Sequence, residues 1–222
     1  MDYKVISADC HVDLPWLPPE LFVENAPAAL RDRMPYVETI DSGQFWVTKT
    51  GSQFGLRNGM GSAGRRYQPG QIARSDRMAE QGLYSDGEAG IPRLTDPELR
   101  VKDQDLDGIQ GEVLYGVLGA SGRLNDDEAA AELLRIYNEW LADFCAKKPD
   151  RYAGLASIPS HDVDAAVDEI ERVAHRGGLS GVEVANSYDM APLFDPSWEK
   201  LWAVAEEAGM PLHYHTIGPR PD

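Results

Sequence analysis

Asp9 and His11 stand two residues apart at the end of an apolar run, Lys4-Val5-Ile6-Ser7-Ala8-Asp9-Cys10-His11. Side chains alternate along a β-strand, so both project to one face while Cys10 turns to the other. A carboxylate and an imidazole placed this way make a two-pronged holder for a divalent cation such as zinc. Alone the pair is a weak signal, because Asp-x-His arises by chance in many chains. It gains weight near the other terminus, where Pro211-Leu212-His213-Tyr214-His215-Thr216-Ile217-Gly218 supplies a second short strand carrying His215. A third donor from that strand end would complete a metal site with an open position, able to polarise a carbonyl group.

The other reactive side chains carry blander readings. His213 shares a face with His215 one layer deeper, which makes it a core histidine first and a substrate contact or backing group second. His161 follows a strand end just ahead of a helix cap, on the same side as Asp9, His11 and His215, but in a loop. His175 sits near a helix C-terminus, where the dipole favours a cation without any function. Neither Cys10 nor Cys145 has the setting of a nucleophile. Trp198 and Trp202 anchor the inner face of their helix.

Positioning such a site requires regular elements, and these dominate after Thr95. A helix over Pro97–Leu106 leads to a buried strand at 111–118. Asn125, with Glu128 three positions on, forms a capping box for a helix carrying Leu133, Leu134, Tyr137, Leu141 and Phe144 on one face. Strands follow at 152–158, 179–184 and 210–215. Between them run a helix capped by Asp162 and closed by Gly177-Gly178, and another opened by Asp195-Pro196 and stopped by Gly209. Strand and helix alternating with short links means a parallel sheet with right-handed crossovers. Asp9, His11 and His215 all fall at strand carboxyl ends, where a (β/α) barrel gathers its site. A dinucleotide-binding sheet would need Gly-x-Gly-x-x-Gly after its first strand, and Asp-Cys-His-Val-Asp is not that loop.

Earlier in the chain, Leu14–Pro19 is too rich in proline for regular structure, and a short helix is expected around Pro19–Val23. Residues 36–40 and 44–48 flank Asp41-Ser42-Gly43 as a β-hairpin with a three-residue turn. Residues 51–95, dense in glycine and holding Arg57, Arg65 and Arg66, show no periodicity. They lack the preceding strand and Lys-Ser/Thr ending of a phosphate loop. A surface insertion or lid fits them better. Residues 35–95 thus read as one hairpin-and-loop insertion within a single domain spanning 1–222.

The 222 residues suit one domain with a sizeable core. A net charge of −16, spread along the chain, argues against nucleic acid and anionic membranes. No apolar run approaches a membrane span, and no signal peptide opens the chain. With two cysteines and no disulfide framework, the cytoplasm is the default.

Several fragments, in order, resemble a known family: Ile6-x-x-Asp9-x-His11, Asp107-Gly108-Ile109-x-x-Glu112-Val113-Leu114-Tyr115, Pro149-Asp150-Arg151-Tyr152-x-Gly154 with Ile158-Pro159, Pro192-Leu193-Phe194-Asp195-Pro196-x-Trp198-x-x-Leu201-Trp202, and Gly209-Met210-Pro211-x-x-x-His215. They are similar to the amidohydrolase-related metal enzymes, in the branch of aminocarboxymuconate-semialdehyde and γ-resorcylate decarboxylases. The resemblance implies an α/β fold, an eight-stranded TIM-type (β/α) barrel holding one divalent metal, Zn2+ first and Mn2+ second. It places Asp9 and His11 on the first-strand ligand positions and His215 on the fifth-strand one. The family's further histidine and aspartate come from its sixth and eighth strands. This chain therefore reads as a barrel cut after the fifth strand, with catalytic acid/base residues not identified in it.

The expected activity is metal-dependent decarboxylation or hydrolysis of a small carboxylated, aromatic-derived substrate, with decarboxylation preferred on resemblance alone. A homo-oligomer is compatible with that reading. The alternative is a non-catalytic fragment, inactive by itself, whose acid/base residues lie on strands it lacks.

Overall fold

The computed structural model describes residues 5–159, 162–186 and 190–216. In chain order its elements are β1 (Val5–His11), α1 (Leu21–Asn25), β2 (Tyr36–Ile40), β3 (Gly43–Val47), β4 (Gln53–Leu56), α2 (Ala73–Glu80), α3 (Leu83–Glu88), α4 (Pro97–Asp107), β5 (Ile109–Tyr115), α5 (Leu118–Arg123), α6 (Asp127–Ala146), β6 (Tyr152–Ser157), α7 (Val163–Arg176), β7 (Gly181–Asn186), α8 (Glu199–Ala208) and β8 (Leu212–Thr216). They group into two compact units, residues 1–11 with 104–222 and residues 12–103.

The first unit is built on a parallel sheet in the order β1-β5-β6-β7-β8. Parallel neighbours cannot be joined by tight turns, so α6, α7 and α8 carry the chain back between strands. Each helix has its apolar stripe on the sheet side. Leu133, Leu134, Tyr137 and Leu141 of α6 are buried, as are Ala166, Ile170 and Val173 of α7. One core gathers Ala156, Ile158, Val182 and Val184 from the strands with Ile170, Trp198 and Leu201 from the helices. Helix ends follow the chemistry of the sequence: Asp162 accepts from Asp164 and Ala165 N–H, and Gly177 and Gly209 close α7 and α8 at φ 74° and 63°.

One cap lies a residue away from its expected place. Asp126, not Asn125, is the N-cap of α6, its carboxylate accepting from Ala129 N–H at 3.2 Å. Asn125 instead takes a left-handed φ of 51°. Both residue types cap well, so composition could not choose between neighbours. Asp126→Ala should cost about 1 kcal/mol in urea unfolding, and Asn125→Gly should leave stability near wild type. Equal losses from both would reverse the assignment. The strand expected at 111–118 is also shifted: it ends at Tyr115, and the next residues form α5.

The second unit centres on an antiparallel sheet, β2-β3-β4. Ile40 pairs with Gly43, so the hairpin turn holds two residues, Asp41 and Ser42, rather than three. Trp46, Phe54, Phe22 and Met34 are its buried core, with Phe22 edge-on to Trp46. The glycine-dense stretch is ordered beyond what its composition suggests, holding β4, α2 and α3. Its glycines let backbones touch. A Cβ on Gly55 would sit 2.1 Å from the Ala63 carbonyl oxygen, beside the Leu56 N–H to Gly64 carbonyl bond of 2.7 Å. Arg57 donates to Gln44 and Arg66 to the Ser42 carbonyl, so these two arginines brace the unit. No described helix is long and apolar enough to cross a membrane.

Candidate metal centre

The site begins with a register irregularity in β1. Ser7 pairs with Glu112 and Cys10 with Leu114, so three steps on β1 oppose two on β5. This is a β-bulge around Ala8 and Asp9, a device that re-aims side chains beside functional sites. Strict alternation therefore does not hold along β1. Asp9 is nonetheless on the His11 side, its Oδ1 3.1 Å from His11 Nε2. Its side chain is 75% exposed against 29% for His11.

β8 brings the third group. Its inward residues are His213 and His215, while Tyr214 turns to Trp202 of α8. Asp9, His11 and His215 each offer one ligand atom, and these atoms lie within 4.8 Å of one another. β1 and β8 are the two edges of the sheet, four strand spacings apart, which in a flat sheet would be about 19 Å. The meeting of these side chains, with His11 and His215 ring centroids 4.8 Å apart, means that the sheet is curled round them.

Tyr115, at the carboxyl end of β5, fills the space between the donors. Its ring centroid is 5.7 Å from that of His11 and 5.1 Å from that of His215. Its hydroxyl is 3.2 Å from Nδ1 of His213, so His213 is tied within the wall below the donors. Burial first, then the charges of Asp9 and Glu183, push the Tyr115 hydroxyl pKa up. Burial first, and His11 second, hold His215 below the usual histidine range, against an opposing pull from Asp9. A neutral imidazole is the form that binds a metal.

One carboxylate and two imidazoles, converging and half-open, fit a divalent cation with a free coordination position. These three residues could hold it. His161 lies outside the described residues. Sequence reasoning passed over Glu183 of β7, which is fully buried and lies 3.3 Å from His215 Nδ1 through Oε1. The available signal was a lone acid between two valines in Gly-Val-Glu-Val-Ala.

The chain is similar to several known proteins. A γ-resorcylate decarboxylase of Rhizobium sp. (strain MTP-10005) is 29% identical over 169 residues, covering 68% of this chain and 51% of that protein. The chain thus spans about half the length of the curated relatives it matches. An amidohydrolase from Mycobacterium avium subsp. paratuberculosis K-10 superposes with a TM-score of 0.67 at 18% identity, covering 97% of this chain and 58% of its own. That likeness speaks for the fold. A variant 5-carboxyvanillate decarboxylase from Novosphingobium aromaticivorans DSM 12444, solved with manganese bound, is 25% identical with a TM-score of 0.52, covering 65% of this chain and 47% of that one. The sequence profile described as Amidohydrolase matches residues 8–221. With a five-stranded curled parallel sheet and that match over nearly all its length, the chain belongs to the amidohydrolase family.

Proposed function

We propose that the protein is a metal-dependent decarboxylase of a small aromatic carboxylic acid, with Asp9, His11 and His215 holding the ion. The convergence of these three side chains from opposite edges of the sheet carries the reading. Its support comes from relatives named γ-resorcylate and 5-carboxyvanillate decarboxylase. Loss of carbon dioxide from an aromatic acid leaves negative charge on the substrate, and a bound divalent cation supplies the electrostatic stabilisation for it. The rings of His11, Tyr115 and His215 pack together at the site, and a flat aromatic acid suits such a lining. Tyr115, kept protonated by its surroundings, retains a hydroxyl proton to hold or orient an anionic group.

Manganese suits the oxygen-containing donor set, and zinc suits its imidazoles. The test is carbon dioxide release from γ-resorcylate by the purified protein, before and after exhaustive chelation and after Mn2+ or Zn2+ is restored. Chelation is expected to remove the release, and one of the two metals to return it. Release that survives chelation would end the metal-dependent reading, and metal-dependent ester or lactone hydrolysis without carbon dioxide release would end the decarboxylase reading.

A further inference from the structure

Glu183 is an acidic residue fully buried in the middle of β7. Its neighbours Val182 and Val184 enter the helix-facing core, while Glu183 turns to the sheet's inner side with no exposed surface. A carboxyl group taken out of water is costly unless donors meet it. Here Oε2 accepts from Gly116 N–H at 2.9 Å and from the Ser157 hydroxyl at 3.0 Å. Oε1 lies 3.3 Å from His215 Nδ1, close but off the line of an ideal hydrogen bond.

We propose that Glu183 is a positioning residue for the metal centre: it accepts the Nδ1–H of His215, fixing the ring and its tautomer so that Nε2 presents its lone pair to the ion. The proposal rests on the metal-centre reading above. Partners behind a metal-bound histidine act this way generally, orienting the ring and raising its basicity. The support beneath Glu183 is also rigid. Ser157 is pinned by a two-way bond to Asn138 of α6, its N–H donating to Oδ1 and its carbonyl accepting from Nδ2, both at 2.9 Å. Asn138, itself fully buried, donates also to Glu169 of α7 at 2.6 Å. Residues of two helices thus brace Ser157, and through it the carboxyl group whose Oε1 faces His215.

The same geometry makes Glu183→Gln informative. Gly116 N–H can only donate, so the amide oxygen of the new side chain must stay there. Its NH2 group then faces His215 Nδ1 and forces that nitrogen to accept. The ring proton moves to Nε2, the nitrogen the ion needs. In the metal-free protein, 15N NMR of the His215 ring should show the Nδ1–H tautomer in wild type and the Nε2–H tautomer in Glu183→Gln. Mn2+ titration should show affinity lowered about 10–100-fold, with an unchanged melting profile. An unaltered tautomer together with wild-type Mn2+ affinity would overturn the proposal. If Glu183→Gln does not fold, Ser157→Ala decides: it keeps the carboxyl group, loses one anchor, and should weaken Mn2+ binding severalfold while keeping Nδ1–H. Wild-type affinity in that variant would overturn the proposal as well. Failure of wild type itself to bind Mn2+ would sink the metal-centre reading, and the tautomer comparison, made without metal, would still report on Glu183.

Discussion

His11→Ala and His215→Ala should each lose Mn2+ affinity by more than about a hundredfold, beyond the loss typical of residues behind the ligands. The expectation follows from the donor set. With Asp9, His11 and His215 converging within 4.8 Å, removal of either imidazole would leave only two of the three candidate donors. The two variants should also fail alike although their residues lie on opposite edges of the sheet, because each leaves one imidazole and one carboxylate. His213→Ala is the contrast: its Nδ1 is engaged by the Tyr115 hydroxyl, so Mn2+ affinity should change far less. The check is Mn2+ titration followed by electron paramagnetic resonance on folded protein. A His215→Ala variant with wild-type affinity would remove β8 from the site.

Gly116→Ala is expected to be the most disruptive single-methyl change in the first unit. A Cβ there would stand 2.4 Å from Ser157 Oγ and 2.4 Å from the Tyr137 ring, both fully buried. Neither neighbour has room to withdraw: Tyr137 is on the buried face of α6, and Ser157 is bonded at both its backbone and its hydroxyl. Overpacking of this kind costs about 1–3 kcal/mol or more, which at about 2–4 °C per kcal/mol for a chain of this size is a readily measured fall in Tm. The displaced Ser157 would also disturb the carboxyl group of Glu183, so Mn2+ affinity should fall with it. A Tm within a degree of wild type would show that the backbone near Gly116 yields at little cost.

The parallel order of the first unit was readable because each helix announces its start and stop, and each strand between them is an apolar run. The donors were readable for a related reason: Asp9, His11 and His215 are rare residue types at the ends of such runs. What escaped notice depends on partners distant in sequence. The bulge in β1 exists only against β5, and no feature of Val5–His11 reveals it. Glu183 reads as an ordinary outward acid until the strand is known to be covered on both faces. Residues 51–95 misled in another way. Glycine density looks like freedom, yet at Gly55 and Gly64 it permits backbones to approach more closely than a methyl group would allow.

That the two edges of one sheet meet at the donors gives the ion a mechanical part as well as a chemical one. It would act as a clasp, tying residue 9 to residue 215 where, among the described residues, no ladder of backbone hydrogen bonds joins β1 to β8. A ligand held only by the folded chain adds RT ln(1 + [L]/Kd) to stability, about 2.7 kcal/mol at a hundred times Kd. The curl would then tighten or relax with the supply of metal in the cell. Scarcity of the ion would then loosen the sheet at the same moment as it removed the chemistry.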